Sequence, residues 1–395
     1  MKQNGNEKPR SKQVTAAEVH QLVCETLQEH FQLDMTGRNY EAENIWGVLI
    51  AASVERVTVE MASCLLDDAP CGNTVRSIVK EMLADAGQLA TLEASMNALL
   101  VKQLPKKLLC SRLPGAIDIT EIPYHGQHEE DEEMVRRGRA KSGTTHFHCF
   151  ATLYVVKKNK RYTLAITMMR RSDKALDVLQ RLLARGQTLS LRLKRLYLDR
   201  GFDNNGVIAC LKQQPFPTII PLVIRGKTGG TRALLVGRKS YHTLCATTYT
   251  RQSVIYDQET FPVHVVCIYS KGRYRRRGLY RFAYVVIGQV KMQPRQVADE
   301  YRRRFGIETS YRMMNTVRAR TTSKSAELRL FFVTLAFLLL NLWSYVKWSH
   351  LFVPRRGPRQ ILHRLLPLAR WRLWLWEMVK QRLGFSLVIT IPLEV

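Results

Sequence analysis

Three acidic residues lie where a carboxylate is either costly or chemically useful. Asp118 interrupts an apolar strand pattern, and a carboxylate buried in a strand needs a partner. Asp199 directly follows a short apolar strand, and Glu308 lies in a helical segment, residues 301–315. Converging carboxylates repel one another unless cations lie between them, and Mg²⁺ or Mn²⁺ prefers such hard oxygen ligands. The residue types therefore predict a site for two divalent ions held by these three acids.

Such a site could carry out phosphoryl transfer. Two ions about 3.5–4 Å apart stabilise both the attacking and the leaving oxygen of an in-line displacement. Arg304 lies one helical turn before Glu308, on a stripe shared with Tyr301 and Asn315, and is placed to bind a phosphate through two hydrogen bonds. Buried carboxylates are also often structural, and Asp199 could simply cap the helix that follows it. Residue chemistry alone leaves both interpretations open.

The segment that carries Asp118 and Asp199 begins with three strand patterns and continues with alternating helices and strands. This order predicts a mixed α/β sheet that starts with an antiparallel hairpin. Ser172 and Asp203 are predicted to be the N-caps of the two helices. The predicted strands are 115–120, 145–156, 162–169, 195–198 and 218–224, and the predicted helices are 172–185 and 203–213.

Residues 226–290 have a different sequence pattern from the segments on either side. Short β patterns alternate there with stretches rich in glycine and arginine, which predicts a β-rich insertion. The β patterns cover residues 241–250, 261–269 and 281–287.

A helical pattern returns at Gln293 and continues to Trp348, with a predicted break at 321–323. Its run from Leu330 to Val346 has no charged residue and is near the lower limit for a membrane span. Polar residues interrupt that run, so we interpret it as a buried helix. A membrane protein is the least favoured interpretation.

The N-terminal 110 residues predict a helical domain that could contact DNA. Two helical patterns between Val54 and Leu83 flank a turn-like stretch, and Asn73 is predicted to cap the second helix. In a helix-turn-helix, Arg76 and its polar neighbours would face a DNA groove. A plain helical hairpin has the same pattern, and both interpretations stay open.

The charge distribution favours a polyanionic partner. The chain carries 61 Lys and Arg against 33 Asp and Glu, a net charge of +28, and such an imbalance is typical of nucleic-acid binding. Segment 271–304 is especially basic, and its Tyr274 and Tyr280 could stack on exposed bases. The predicted DNA-contacting side chains are Arg76, Lys157, Lys158, Arg273, Arg275, Arg276, Arg277, Tyr301, Arg304, Arg312, Arg318 and Arg320.

The cysteines and the N-terminus indicate the cellular compartment. Eight cysteines are scattered singly, which predicts neither a zinc framework nor a disulfide framework. The first residues lack the apolar core of a secretory signal. We therefore expect a reducing, cytoplasmic location.

The ordered motifs resemble those of the DDE insertion-sequence transposases of bacteria and archaea, in the branch with a β-rich insertion before the final glutamate. The resemblance covers residues 111–348. It is carried by AIDITEIPYHG around Asp118, KSGTTHFHCFATLYVV, YLDRGFDNNGV around Asp199, and YRRRFGIETSYR around Glu308.

One position departs from the motif of that branch, which is commonly Tyr-x₂-Arg-x₃-Glu-x₆-Lys. Asn315 stands where the lysine is expected, which puts one phosphate contact of the family in question. Arg312, Arg318 or Arg320 could take the place of that lysine. A DNA-binding protein that has lost catalytic activity is therefore one alternative, although the intact acids argue against it. A nuclease of the same fold without strand transfer is another.

The resemblance implies an RNase H-like mixed sheet with a β-rich insertion, preceded by an α-helical domain. It also implies metal-dependent cleavage of double-stranded DNA at insertion-sequence ends, followed by strand transfer into target DNA. The protein would act as a homodimer near the nucleoid, without a membrane. The predicted domains are 1–110, helical; 111–225 and 291–350, the two parts of the catalytic domain; 226–290, the insertion; and 351–395, a basic tail.

Overall fold

The computed structural model describes residues 13–85, 88–127, 133–157, 161–251, 254–273, 275–353 and 359–387. The chain forms two compact units: the helical unit, residues 1–103 with 313–395, and the sheet unit, residues 104–312. The predicted domain division differs from this grouping, because the chain after residue 312 groups with the N-terminal helices.

Helices occur in both units. In the helical unit, α11 packs against α5 and also contacts α1, α2 and α4, while α12 packs against α1 and α2. The helices are α1 (Ala16–Gln28), α2 (Ala42–Glu55), α3 (Val59–Cys64), α4 (Gly72–Asp85), α5 (Leu89–Val101), α6 (Lys106–Leu109), α7 (Ala175–Thr188), α8 (Asn205–Lys212), α9 (Pro294–Tyr301), α10 (Phe305–Met314), α11 (Ala326–His350) and α12 (Leu368–Leu383).

The apolar helix α11 lies in the core of the helical unit. Its length and composition would allow it to cross a membrane, but 83% of its most apolar 18-residue stretch is buried within the fold. The side chains from Leu328 to Leu342 are all buried. Within this run, Asn341 donates a 2.9 Å hydrogen bond to the carbonyl oxygen of Leu100, which gives a buried amide a protein partner. These contacts agree with the interpretation of α11 as a core helix.

The described part of the sheet unit forms one nine-stranded sheet. Its order is β2-β3-β1-β5-β6-β9-β8-β7. β4 also pairs with β3, along residues 150–154, whereas β2 pairs with residues 144–147 of the same strand. β1, β5 and β6 are parallel to one another, and the remaining pairs are antiparallel. The strands are β1 (Leu113–Pro123), β2 (Arg136–Lys141), β3 (Thr144–Val155), β4 (Thr163–Met168), β5 (Leu193–Leu198), β6 (Thr218–Pro221), β7 (Tyr241–Arg251), β8 (Val254–Ser270) and β9 (Gly278–Ile287). A separate pair, β10 (Phe352–Val353) and β11 (Gln360–Ile361), belongs to the helical unit.

The β-rich insertion extends the main sheet instead of forming a layer of its own. β9 pairs antiparallel with β6 along Thr218–Pro221, and β8 and β7 add successively to its far edge. The mixed sheet predicted from the sequence is therefore present, and it contains four strands besides the first five predicted ones: the short β2 and the three strands of the insertion, β7, β8 and β9.

Three predicted helix caps are wrong. α7 begins at Ala175 and its N-cap is Lys174, whereas the helix was expected to start at Ser172. The N-cap of α8 is Asn204, whose side chain accepts a 3.0 Å hydrogen bond from the N–H of Val207. Asp203 instead accepts a 2.5 Å hydrogen bond from the N–H of Val223. Asn73 lies inside α4. Small polar residues adjacent in sequence compete for the cap, and the tertiary contacts decide between them.

Candidate active site

Asp118 lies in the middle of β1, with β3 antiparallel on one side and β5 parallel on the other. The residue is 8% exposed. Its Oδ1 accepts a 2.9 Å hydrogen bond from the N–H of Ile119. Burial raises the pKa of Asp118 to about 6, although the positive charge of Arg304 acts in the opposite direction. The strand thus presents a carboxyl group whose charged form depends on neighbouring cations.

Asp199 follows the last residue of β5. The parallel register pairs Leu198 with Ile117. Asp118 and Asp199 are the residues that directly follow this pair, one in β1 and one just after β5. The hydroxyl of Tyr301 donates a 3.0 Å hydrogen bond to the carbonyl oxygen of Leu198, which holds the end of β5. The side chain of Asp199 is 44% exposed, so this acid faces solvent while its neighbour is buried.

One guanidinium group lies among the three acids. Arg304 Nη1 is 2.8 Å from Asp118 Oδ2. Its Nη2 is 3.2 Å from Asp199 Oδ1 and 2.6 Å from Glu308 Oε1. Burial acts to lower the pKa of Arg304, but the surrounding negative groups outweigh it and the pKa is raised. The structure therefore brings together three acids that lie far apart in the sequence.

The donor chemistry of this cluster fits divalent cations. Within the described ranges, no three His, Cys, Asp or Glu side chains are already arranged around a common metal position. The cluster still offers three carboxylates, and the side chains of Asp199 and Glu308 are each 44% exposed. Arg304 balances one of up to three negative charges, so the remainder favours further positive charge. The acids could hold one or two such ions.

Tyr311 joins α10 to β1, a role that the sequence analysis missed. Its hydroxyl donates a 2.6 Å hydrogen bond to the carbonyl oxygen of Asp118 and lies 2.9 Å from the hydroxyl of Thr152. Thr152 is the residue opposite Asp118 in the antiparallel pair of β1 and β3. A tyrosine three residues after Glu308 shares its side of the helix, and that spacing was the available signal.

Glu300 connects α9, the helix that precedes Arg304, to β5. Its Oε2 accepts 2.9 Å hydrogen bonds from Arg195 Nη1 and from the hydroxyl of Tyr197. Its Oε1 lies 2.8 Å from Arg303 Nη2. These contacts fix the end of α9, and therefore the starting point of the short turn that carries Arg304.

A cavity of about 430 Å³ opens beside Asp199 and Arg304. Residues from β6, β8, β9 and α9 form its walls. Its lining combines positive charge with aromatic surface, a combination that suits both the phosphates and the bases of a nucleic-acid strand. The arginines and aromatic residues that line it, apart from Arg304, are Arg200, Arg275, Arg281, Arg302, Tyr284, Phe282, Tyr301 and Phe305.

The predicted DNA contacts of the sheet unit divide into exposed and buried residues. Tyr301 and Arg304 are 6% and 5% exposed and face the strand end and the acids. The guanidinium of Arg275 lies over the rings of Tyr280 and Phe282, 5.4 and 5.1 Å from their centres. Lys157 is half-buried, and Lys158 and Tyr274 lie outside the described residues. The exposed arginines are Arg273, Arg275, Arg276, Arg277 and Arg312.

The other predicted contacts belong to the helical unit. Arg76 Nε lies 2.6 Å from Glu60 Oε1, so an acid already occupies this arginine. Arg318 is half-buried and its Nε donates a 3.4 Å hydrogen bond to Asn315 Oδ1, while Arg320 is exposed. DNA contact by these residues stays a prediction, as does the helix-turn-helix, whose first helix would be the six-residue α3.

Comparison with known proteins assigns the family. The family model described as "Transposase DDE domain" matches residues 110–342, more than half of the chain. The chain belongs to the DDE transposases. Its fold is similar to that of piggyBac transposase, solved by cryo-EM as a synaptic complex with hairpin DNA, with a TM-score of 0.55 and 8% sequence identity. The match covers 93% of this chain and 82% of that one. No curated protein has significant sequence similarity to the chain.

The family assignment and the fold implied by the motifs are both confirmed. The five strands β4, β3, β1, β5 and β6 are consecutive neighbours in the mixed sheet of the transposase. The family match begins and ends within a few residues of the segment 111–348 covered by the motif resemblance. Asn315, which stands where the motif of the resembled branch has a lysine, is exposed and lies just after α10.

Proposed function

We propose that this transposase cleaves double-stranded DNA at the ends of an insertion sequence and joins the released ends to target DNA. The observation that carries the proposal is the convergence of Asp118, Asp199 and Glu308 on Arg304, at 2.6–3.2 Å. Acids that meet around one guanidinium group, beside a cavity lined by arginines, fit metal-dependent phosphoryl transfer. The family assignment supports the reaction class.

The three acids would hold the cations of the reaction. When bound, divalent ions, two of Mg²⁺ or Mn²⁺ in this proposal, supply Lewis-acid stabilisation of the attacking and leaving oxygens. Asp118 has to be ionised to act as a ligand, and the adjacent guanidinium of Arg304 favours that form. Tyr301 and Tyr311 hold the backbone on either side of the site, at Leu198 and at Asp118 itself.

The cavity beside Asp199 would receive the DNA strand that is cut. Its arginines can bind phosphates, and Arg304, whose guanidinium contacts the acids, also lines the cavity. The exposed arginines at 273–277 would extend the phosphate contacts along the insertion. Together these contacts would place a phosphodiester against the acids without reading its sequence.

The test uses Asp118→Asn, Asp199→Asn and Glu308→Gln in the full chain. Each variant removes one charged ligand with little change of shape, so we expect at least a hundredfold loss of strand cleavage with duplex binding retained. Glu121→Gln is the matched control, because Glu121 lies in the same strand as Asp118 and is exposed. Wild-type cleavage rates in all three site variants would contradict the proposal.

Products of the same assay separate the alternatives. Cleaved ends joined to a target duplex are expected of a transposase, whereas nicked products alone would indicate a nuclease. Binding without any cleavage by the wild-type chain, in Mg²⁺ or in Mn²⁺, would indicate a DNA-binding protein without activity. Because the two insertion-sequence ends would be processed as a pair, we also propose that the protein acts as a homodimer on DNA in the cytoplasm.

A further inference from the structure

A polar cavity of about 240 Å³ lies in the helical unit, where α3 and α4 meet the segment between α10 and α11. Its positively charged lining residues are Arg76, Lys80 and Arg320. Hydroxyl-bearing residues at 321–323 complete the polar side, and Glu60 is the acid that lines it. The cavity therefore combines cations with hydroxyl donors, the groups that commonly bind phosphate oxygens.

The positive charges of this cavity exceed its negative charge. Glu60 is already occupied, because its Oε1 lies 2.6 Å from Arg76 Nε. In the described part of the chain, neither Lys80 nor Arg320 forms an ion pair with a carboxylate. Two cations that share a cavity and have no carboxylate partner of their own attract an anion from solution.

Further arginines reinforce the positive potential beside the cavity. Arg318 lies two residues before Arg320 and is half-buried. Burial lowers the pKa of Arg318 to about 10, and the positive charges of Arg329, Arg56 and Arg320 act in the same direction. Repulsion among these like charges destabilises the unliganded protein, and an anion bound among them would relieve it.

The backbone holds these cations in place. The N–H of Arg320 donates a 2.9 Å hydrogen bond to the carbonyl oxygen of Val57, in the link between α2 and α3. The hydroxyl of Thr321 accepts a 3.0 Å hydrogen bond from the N–H of Ser323. Arg320 is therefore carried by an anchored turn, which reduces the conformational entropy lost when a ligand binds.

We infer that this cavity is a second DNA site, which binds a backbone phosphate of duplex DNA through Arg320 and Lys80. The inference rests on the proposed function only in taking DNA as the partner, and it does not involve the three acids. A phosphate contact of this kind positions the duplex without reading its sequence. It also gives the helical unit a DNA-binding role that does not require a helix in the major groove.

The test measures the dissociation constant, Kd, of the full chain for a duplex, for Arg320→Gln and Lys80→Gln. Each lost phosphate contact lowers the slope of log K against log salt by about 0.9. The rise in Kd between about 50 and about 200 mM salt should therefore become about threefold smaller in each variant. The decrease in the salt slope should be equal for a transposon-end duplex and for a duplex of scrambled sequence. Arg364→Gln, another exposed arginine of the helical unit, should leave the slope unchanged.

The source of the phosphate is tested separately with inorganic phosphate. If it raises the thermal unfolding temperature of the wild-type chain but not of Arg320→Gln, and duplex binding falls in the variant, the inference is supported. Unchanged duplex affinity and slope in both variants overturn it, whatever free phosphate does. Because both side chains are exposed, unfolding temperatures near wild type are expected.

The outcome is independent of the catalytic proposal. Asp118→Asn should bind the duplex with the wild-type affinity and salt dependence but should not cleave it at any concentration, whereas Arg320→Gln and Lys80→Gln should change the salt dependence of binding. Cleavage of DNA by Asp118→Asn would contradict the proposed function and would leave the inference about the phosphate site unaffected.

Discussion

The hydroxyl of Tyr311 donates a 2.6 Å hydrogen bond to the backbone carbonyl oxygen of Asp118. This bond connects α10, which carries Glu308, to the strand that carries the first acid. The bond is buried, so a hydrogen bond to water cannot readily take its place. The relative position of two acids 190 residues apart in sequence therefore depends in part on one phenol group.

Tyr311→Phe tests this connection. Removing the hydroxyl leaves the carbonyl oxygen of Asp118 without this donor, and a buried unsatisfied acceptor costs about 1–3 kcal/mol. We expect the free energy of unfolding in urea to fall by that amount, and Mg²⁺-dependent cleavage to fall more than DNA binding. Tyr280→Phe is the control, because the Tyr280 hydroxyl donates to the carbonyl oxygen of Arg276 near the surface. Equal stability of the two variants would contradict the role of Tyr311.

Arg304→Gln tests whether the guanidinium holds the acids together. Removing one partner of the buried ion pair between Arg304 and Asp118 costs about 3–5 kcal/mol, because the Asp118 carboxylate stays buried. We expect the free energy of unfolding to fall by this amount in EDTA and by less in Mg²⁺, because added cations can neutralise the same carboxylates. Arg302→Gln, an exposed neighbour, should lose little in either condition. A loss that is the same with and without Mg²⁺ would show that Arg304 and the cations act at different places.

The sequence alone predicts the three acids and one positively charged neighbour, for local reasons. A strand pattern places Asp118, the end of a strand places Asp199, and helical periodicity aligns Arg304 with Glu308. The sequence does not predict that Arg304 contacts all three acids, because that depends on distances between elements. The same limit applies to Tyr311, whose partners lie on strands far away in the chain.

The fold is predicted where its contacts are local and missed where they are distant. The early strands are predicted to within a few residues, and the predicted break at 321–323 lies inside the longer one observed between α10 and α11. The pairing of β9 with β6 could not be read from a pattern, because a β-rich stretch can extend a sheet or form a separate one. The grouping of α11 with the N-terminal helices likewise depends on which apolar faces meet.

Asp203→Asn is expected to change how stability depends on pH. Burial raises the pKa of Asp203 above its usual value of 3.8, against the hydrogen bond from Val223. A raised folded-state pKa means that the folded chain binds the proton more tightly than the unfolded chain does. The stabilising contribution of this proton is complete below the unfolded-state pKa and is lost as pH rises through the folded-state value. The asparagine variant keeps an acceptor oxygen for the N–H of Val223 but does not titrate, so it should lack this dependence on pH.

Urea unfolding at about pH 4 and about pH 7 measures this effect. The stability of Asp203→Asn relative to wild type should be greater at the higher pH. Asp203→Ala is the companion variant, since it leaves the N–H of Val223 without its acceptor and should lose about 1–3 kcal/mol at both pH values. A pH-independent difference between Asp203→Asn and wild type would contradict the raised pKa.

Asn341 tests the environment of α11. Its amide donates to the carbonyl oxygen of Leu100 in the core of the helical unit, so Asn341→Leu should lower the free energy of unfolding by about 1–3 kcal/mol. Thr334→Val is the matched control on the same helix, because the buried Thr334 hydroxyl has no hydrogen-bond partner within the described residues. That change should be neutral or stabilising. If α11 spanned a bilayer, Asn341→Leu would instead favour insertion, and the chain would resist extraction from membranes by carbonate. We expect the wild-type chain and both variants in the carbonate-soluble fraction.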